Sequence, residues 1–153
     1  MIAHLKPSDL LLAVSRASRL IRRPSLEELA CVLISADQKE KTLTVTSSSL
    51  DAFHIETIND VDVEREGVCL VNAKRLKDII DLISGDMVEL CFETNLSVKS
   101  DSMSVSMATL GHVNFPVAPA IGNRQFLVAS FAPLSRVKMA IPTSEERLNL
   151  FGA

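Results

Sequence analysis

The sequence predicts an α+β domain in which two amphipathic helices pack on one side of antiparallel sheet. Two segments have apolar residues at helical spacing. Each is preceded by one short segment typical of a strand and followed by three more. The order strand, helix and three strands therefore occurs twice, and it is the pattern that repeats, since the two halves share no convincing identity.

The first half of the pattern begins with a short strand over residues 1–5. A helix follows, with Pro7 in its first turn and Pro24 at its end, because proline is tolerated in a first turn and breaks a helix interior. The helix is expected to bury Leu10, Leu11, Val14, Ala17, Ser18 and Ile21. The three strands are expected at residues 30–36, 41–46 and 52–58.

The second half begins with a strand over residues 68–71. Asn72 is a favourable N-cap for the second helix, and Gly85 lies just past its end, where glycine is favoured. The apolar stripe of this helix consists of Leu76, Ile79, Ile80 and Ile83. The three strands that follow are expected at residues 87–93, 96–99 and 103–109.

After the second half the chain changes character. Residues 112–120 contain Pro116 and Pro119 and are typical of a linker. Beyond them, one strand-like segment and one helical pattern begin the same order a third time. We therefore expect one domain over residues 1–120 and the incomplete start of a second domain over residues 121–153.

The charge is acidic overall and locally basic. The net charge is −3 and the pI is about 5.6, whereas a compact nucleic-acid reader usually has a basic excess. Residues 6–23 depart from this average, because five basic residues there stand against Asp9 alone. We interpret an opposing acidic stretch as outer surface, or as a solvated strand edge and loop; it consists of Glu56, Asp60, Asp62, Glu64 and Glu66.

Residue types that carry catalysis or bind metals have no convincing arrangement. The cysteines are Cys31, Cys69 and Cys91. Their wide spacing favours reduced thiols in a cytoplasmic protein over a disulfide framework or a zinc site. A hydrolase triad drawn from residues 47–49, Asp51 and His54 lacks a nucleophile elbow. We expect no catalytic residue, no metal, no cofactor and no membrane-spanning segment.

Five segments together carry a likeness to a known family. They are residues 21–26 (IRRPSL), 43–50 (LTVTSSSL), 67–79 (GVCLVNAKRLKDI), 96–100 (LSVKS) and 114–116 (NFP). In their order and spacing they resemble the bacterial DNA sliding clamp, the beta subunit of DNA polymerase III. Residues 131–152 are similar to the first helix of the second domain in that family. The resemblance implies a DNA clamp-type domain, with its two helices on antiparallel sheet.

The chain departs from the family pattern at several positions. Glu27 and Glu28 stand where the family usually has proline and an aliphatic residue, and Ser49 replaces an aspartate. Val105 occupies a position where an aromatic side chain often supports the subunit interface. A family member has three such domains, so the resemblance covers one domain and the start of the next.

The resemblance implies a processivity factor of bacterial DNA replication, and so an accessory subunit with no catalysis of its own. In the full-length family member two subunits join head to tail into a ring, the helices line its hole, and duplex DNA passes through. DNA polymerase III subunits and the clamp loader are the implied protein partners. The alternative is a clamp-derived interaction module that does not encircle DNA and modulates the full-length clamp.

The resemblance also implies which residues contact DNA. Arg23, after the first helix, and Lys74, at the start of the second, match basic family positions that face DNA. Their neighbours Arg22 and Arg75 are expected to share this role. Two further arginines on the polar face of the first helix are Arg16 and Arg19. The alternative is that all of these side chains are ordinary solvated charges.

Overall fold

The structure is a computed structural model that describes residues 1–21 and 26–118. Met1–Ala118 form one compact unit. The helices described are α1 (Pro7–Ser18) and α2 (Ala73–Asp81), and short 3₁₀ turns cover Glu27–Ala30 and His112–Asn114. The strands are β1 (Ile2–Leu5), β2 (Cys31–Asp37), β3 (Thr42–Ser48), β4 (Phe53–Ile58), β5 (Asp62–Arg65), β6 (Gly67–Asn72), β7 (Val88–Phe92), β8 (Leu96–Lys99) and β9 (Ser104–Met107).

The strands form two antiparallel sheets that exchange their first strands. One sheet has the order β5-β1-β7-β8-β9, and the other has the order β4-β3-β2-β6. β1, the first strand of the first half, thus pairs with the second half, where Ala3 lies opposite Leu90. β6, the first strand of the second half, pairs with the first half, where Val71 lies opposite Val32. The two halves of the repeated pattern are therefore interlocked, because each half supplies its first strand to the sheet of the other.

A single large core lies between the two helices and the sheets. α1 packs against α2 and against β2, β3 and β4. It buries Leu10, Val14 and Ala17 completely, and α2 buries Leu76. Each fully buried leucine or valine side chain contributes about 1.5–3 kcal/mol of transfer free energy. This core therefore fixes which face of each helix is left for solvent.

A second, smaller cluster covers part of the opposite face of the four-stranded sheet. It contains Cys31, Leu70 and Phe115, with Leu33 and Leu110 packed against it. The backbone amide of Leu110 donates a hydrogen bond of 2.9 Å to the carbonyl of Leu70. The chain that follows β9 is thereby held against β6.

The predicted α+β fold with two helices on antiparallel sheet is confirmed, and one strand, β5, was not predicted. β5 pairs with β1 through Ala3 opposite Val63. Its sequence, DVER, has Val63 as its one apolar residue, and that residue is buried. A four-residue edge strand with one buried side chain has too little alternation to stand out from a charged loop.

The α-helical part of α1 ends at Ser18, earlier than the prediction that placed its end at Pro24. The hydroxyl of Ser18 donates a hydrogen bond of 2.7 Å to the carbonyl of Val14. The next amides bond three residues back, from Leu20 to Ala17 and from Ile21 to Ser18. The last turn is therefore tightened into 3₁₀ geometry, as is common where a helix ends. Pro24 itself lies outside the described residues, as does the expected second domain over residues 121–153.

The predicted cap of α2 is confirmed. The side-chain oxygen of Asn72 accepts a hydrogen bond of 3.1 Å from the backbone amide of Arg75. It satisfies one of the amides that a helix N-terminus leaves without a partner. Gly85, which was expected just past the end of the helix, lies four residues beyond Asp81, where α2 ends. Its φ of 142° is open to glycine and unfavourable for other residues.

Burial sets the chemical state of two thiols. Burial raises the pKa of the Cys31 thiol to about 11, and the nearby carboxylates of Glu27 and Glu28 add to this shift. Burial raises the pKa of the Cys69 thiol to about 12. Cys91 is half-buried. The thiols of Cys31 and Cys69 are therefore protonated in the folded protein at neutral pH.

Replacing the cap of α2 should weaken the fold measurably. We expect Asn72→Ala to lower the free energy of unfolding by about 1 kcal/mol, because one helix amide loses its acceptor. Urea denaturation followed by circular dichroism measures this change. Asn59→Ala, at an exposed loop position, is the matched control and should stay within about 0.5 kcal/mol of the parent. Equal effects of the two substitutions would contradict the capping role.

Alkaline pH should destabilise the domain through its buried thiols. Because the pKa of Cys69 is raised from 9.0 to about 12 on folding, the unfolded chain releases this proton first. We expect the free energy of unfolding to fall as the pH rises above about 9, and to go on falling towards the folded-state pKa values. Urea titrations across this range measure the slope, and Cys69→Ala should reduce it.

Thiol alkylation gives an independent check of the same burial. Iodoacetamide should modify Cys91 before Cys31 and Cys69 in the folded protein, because the thiolate is the reactive form. Peptide mass mapping measures the order. If the folded protein were modified at Cys69 as fast as at Cys91, the thiol of Cys69 would not be buried.

Candidate nucleic-acid interface

The first turn of α2 presents two cations to solvent. The helix begins at Ala73, directly after β6, and the Asn72 cap fixes that start. Ala73 and Leu76 turn into the core, so Lys74 and Arg75 are left exposed. The structure thus places both predicted α2 residues at the surface, on neighbouring positions of one helical turn.

A cleft of about 510 Å³ lies between the start of α2 and the end of α1. Lys74 and Lys77 line it from α2, and Ser18 and Ile21 line it from the end of α1. Arg75 is not among the residues that line it. Lys77 was not predicted as a site residue. Its spacing of three from Lys74, which places both on one side of a helix, was the signal that would have found it.

The two arginines predicted on α1 have different surroundings. Nη1 of Arg16 lies 2.7 Å from Oε1 of Glu56 on β4. Arg19, at the C-cap of α1, is exposed and makes no ion pair with any described carboxylate. Among the residues that the structure describes, Arg16 is therefore paired with a carboxylate and Arg19 is not.

Glu56 does not belong to an outer acidic surface. It was grouped by sequence with the acidic stretch that continues to Glu66, but the structure places its carboxylate against α1. Its second oxygen lies 3.2 Å from Nε2 of His54. Asp62 and Glu64, in contrast, are exposed on the edge strand β5.

Arg22 and Arg23 lie outside the described residues. Ile21, the residue bonded to Arg22, lines the same cleft as Lys74. The predicted pairing of Arg23 with Lys74 in one DNA-binding site remains a prediction.

The exposed cations of the helix pair are electrostatically available. The ion pairs found among the described residues involve His4, Arg16, His54, Arg65 and Lys99. We define the cationic helix surface as Arg19, Lys74, Arg75 and Lys77, which make no ion pair with a described carboxylate; Lys77 is half-buried and the other three are exposed. Asp78, which is exposed, is the carboxylate that lines the cleft beside them. Lysine and arginine without a protein partner can bind phosphate oxygens directly.

The hydroxyl groups near His54 have structural partners. Ser47 is buried, and its hydroxyl donates a hydrogen bond of 2.9 Å to the carbonyl of Ala17. Oγ of Ser48 accepts a hydrogen bond of 3.1 Å from the amide of Leu50. These bonds tie the end of β3 to α1 and to its own turn, and they leave no hydroxyl of this pair bonded to the imidazole of His54.

Residues 1–21 and 26–118 contain neither a membrane-spanning helix nor a cluster of metal ligands. No helix in these ranges combines the length and the apolar content needed to cross a membrane. No group of three or more His, Cys, Asp and Glu side chains in these ranges could hold a metal ion.

Comparison with protein families gives a match over most of the chain. Residues 2–119 match the family described as DNA polymerase III beta subunit, N-terminal domain. Comparison with curated protein sequences gives no match.

Solved bacterial clamps share the fold. The pol III beta of Caulobacter crescentus superposes with a TM-score of 0.85 at 22% identity, covering 98% of this chain and 42% of that one. The sliding clamp of Bacillus subtilis gives 0.86 at 18% identity, with coverages of 96% and 42%. The Helicobacter pylori beta clamp, bound to a DNA ligase peptide, gives 0.72 at 19% identity, with coverages of 80% and 34%.

These likenesses differ in what they show. At such identities the solved structures show the fold alone, and the chain spans only 34% to 42% of their length. The family match covers residues 2–119 of the 153 and includes both helices and both sheets. The chain therefore belongs to the DNA polymerase III beta subunit family, through the N-terminal domain of that family.

Proposed function

We propose that this chain is the first clamp domain of a bacterial DNA sliding clamp, the processivity factor of DNA polymerase III. Its membership of the beta subunit family carries the proposal. In this role the protein performs no chemistry and holds duplex DNA beside the polymerase.

The helix pair supports non-specific contact with phosphates. In the cationic helix surface, Arg19, Lys74 and Arg75 are exposed and Lys77 is half-buried, and the apolar faces of the two neighbouring helices are buried in one core. Lysine and arginine bound to phosphates give an affinity that is independent of sequence and falls with rising salt. Base-edge contacts would fix the protein at one site and stop sliding. A surface of this composition provides attraction without sequence recognition.

The proposed DNA-binding residues are Arg23, Lys74, Arg22 and Arg75, and the cleft adds Lys77. Lys74 and Lys77 line one cleft, so a single stretch of phosphate backbone can reach both. Arg75 is exposed beside them and contributes to the same field. Arg23 enters the proposal through the family position that it matches, and Arg22 enters it as the neighbour of Arg23.

Partners and assembly are proposed for the full-length protein. They are duplex DNA, DNA polymerase III subunits, the clamp loader and a second copy in a ring. The solved H. pylori clamp holds a DNA ligase peptide, and by the family resemblance such client peptides bind between the second and third domains. We also propose a cytoplasmic location, where the replication machinery works.

Removal of one lysine from the cleft should weaken DNA binding by one phosphate contact. We expect Lys74→Gln and Lys77→Gln each to reduce the slope of log K against log salt by about 0.9, because each loses one counterion-releasing contact. Fluorescence anisotropy of a labelled duplex at several low salt concentrations measures the slope. Two duplexes of unrelated sequence should give equal values.

Lys39→Gln is the matched control. Lys39 is exposed in the turn between β2 and β3, about 20 Å along the strand from the end of β2 that adjoins the cleft. An equal loss for Lys39→Gln would mean that only net charge matters. Binding to an intact clamp without any affinity for DNA would instead support the interaction-module alternative.

A further inference from the structure

Glu56, on the edge strand β4, contacts Arg16 of α1 with one carboxylate oxygen and His54 of its own strand with the other. Its Oε1 lies 2.7 Å from Nη1 of Arg16, and its Oε2 lies 3.2 Å from Nε2 of His54. The side chain of Glu56 is only 20% exposed, whereas that of Arg16 is 49% exposed. The carboxylate is thus held in place on the sheet, while the arginine reaches it from the helix.

The position of Glu56 is fixed by the backbone beneath it. β4 pairs with β3 along its whole length, with Glu56 opposite Val45 and His54 opposite Ser47. α1 in turn packs on both strands. The backbone of Glu56 is therefore held on the sheet, and its carboxylate stays near β4 if the side chain of Arg16 turns towards another anion.

Arg16 leaves α1 on a different flank from the cleft. Ser18 lines the cleft that α1 shares with α2, whereas Arg16 bonds to β4. Arg19, one turn beyond Arg16, is exposed and has no carboxylate partner among the described residues. The same helix therefore carries one arginine that is neutralised and one that is not.

A cation paired with a fixed carboxylate contributes little to phosphate binding. The salt-dependent part of DNA affinity comes from phosphates whose charge the protein neutralises. A phosphate that approached Arg16 would also approach Glu56, well inside the screening length of about 8–10 Å at physiological salt. The attraction to Arg16 would be largely cancelled by repulsion from Glu56.

We propose that Glu56 is a positioning residue that neutralises Arg16 and so excludes it from the phosphate-binding set of the helix pair. This inference rests on the proposed function. The Arg16–Glu56 pair would thus limit the DNA affinity of the α1 surface, because Arg19 can bind phosphate and Arg16 cannot. A clamp that must slide gains from such a limit, because each added phosphate contact strengthens the grip and its dependence on salt.

A double-mutant cycle tests the proposal. In the parent chain, Arg16→Gln should leave the slope of log K against log salt unchanged. Glu56→Gln should steepen that slope by about 0.9, one additional phosphate contact. In the Glu56→Gln background, Arg16→Gln should remove this gain. When the salt concentration rises fourfold, a variant with one more phosphate contact should lose about 3.5-fold more DNA affinity than the parent.

Two controls separate pairing from net charge and from folding. Glu40→Gln removes one exposed carboxylate in the turn between β2 and β3, with the same change in net charge, and should leave the slope unchanged. Arg19→Gln should reduce the slope by about 0.9 in both the parent and the Glu56→Gln backgrounds. Binding is measured at one fixed pH for all variants, and urea midpoints confirm that each variant is folded.

The outcomes distinguish this inference from the proposed function. A loss of slope for Arg16→Gln in the parent chain would overturn the inference, because Arg16 would already contact phosphate. No effect of Arg16→Gln in either background would overturn it too, because Arg16 would not face DNA. If neither the parent nor Glu56→Gln bound DNA with any dependence on salt, the proposed function itself would fail.

Discussion

The exchange of first strands between the two halves is the constraint on which the rest of the domain depends. β1 completes the sheet built by β7, β8 and β9, and β6 completes the sheet built by β2, β3 and β4. Only Lys6 separates β1 from α1, and β6 runs directly into α2. Each helix is therefore carried by a strand that belongs to the sheet of the opposite half, and the two helices are brought side by side over one shared core.

That shared core determines where charge can appear. Leu10 and Val14 on α1 and Leu76 on α2 are completely buried, so the polar positions of both helices are forced to the opposite side. The Asn72 cap then sets the rotation at which α2 starts, and Lys74 follows two residues later. A chain with a net charge of −3 can in this way carry a local cationic surface, because its acidic residues on β5 lie on a different element.

Periodicity in the sequence was sufficient for the helices and most strands, and it failed where the signal is not local. Spacing gave the buried members of both stripes, which are Leu10, Val14, Ala17, Leu76 and Ile80, whereas the other expected members are half-buried. The Asn72 cap follows from the residue type at that position. β5 was not predicted because Val63 is its one apolar residue. The end of α1 was misplaced because a pattern of apolar residues does not reveal the hydrogen bond from the Ser18 hydroxyl to the carbonyl of Val14. For the site, exposure of Lys74 and Arg75 follows from the helical pattern. Spacing places Lys77 on the same side of α2 as Lys74, but the cleft that both residues line exists only because of how α1 and α2 meet.

The pairing of Arg16 with Glu56 shows why a list of basic residues overstates a phosphate-binding surface. The two residues are 40 positions apart in sequence, so they are brought together only by the packing of α1 on β4. If Arg16 also bound phosphate, the described helix surface would have five cations, and the slope of log K against log salt could reach about −4.5. Without Arg16 the four cations give a slope of at most about −3.6. Across the several domains that would surround DNA in a ring, each domain of this kind would add its own contacts. Under the proposed function, the number of cations left unpaired in each domain, rather than the number of basic residues in the sequence, would set how tightly the ring holds the duplex.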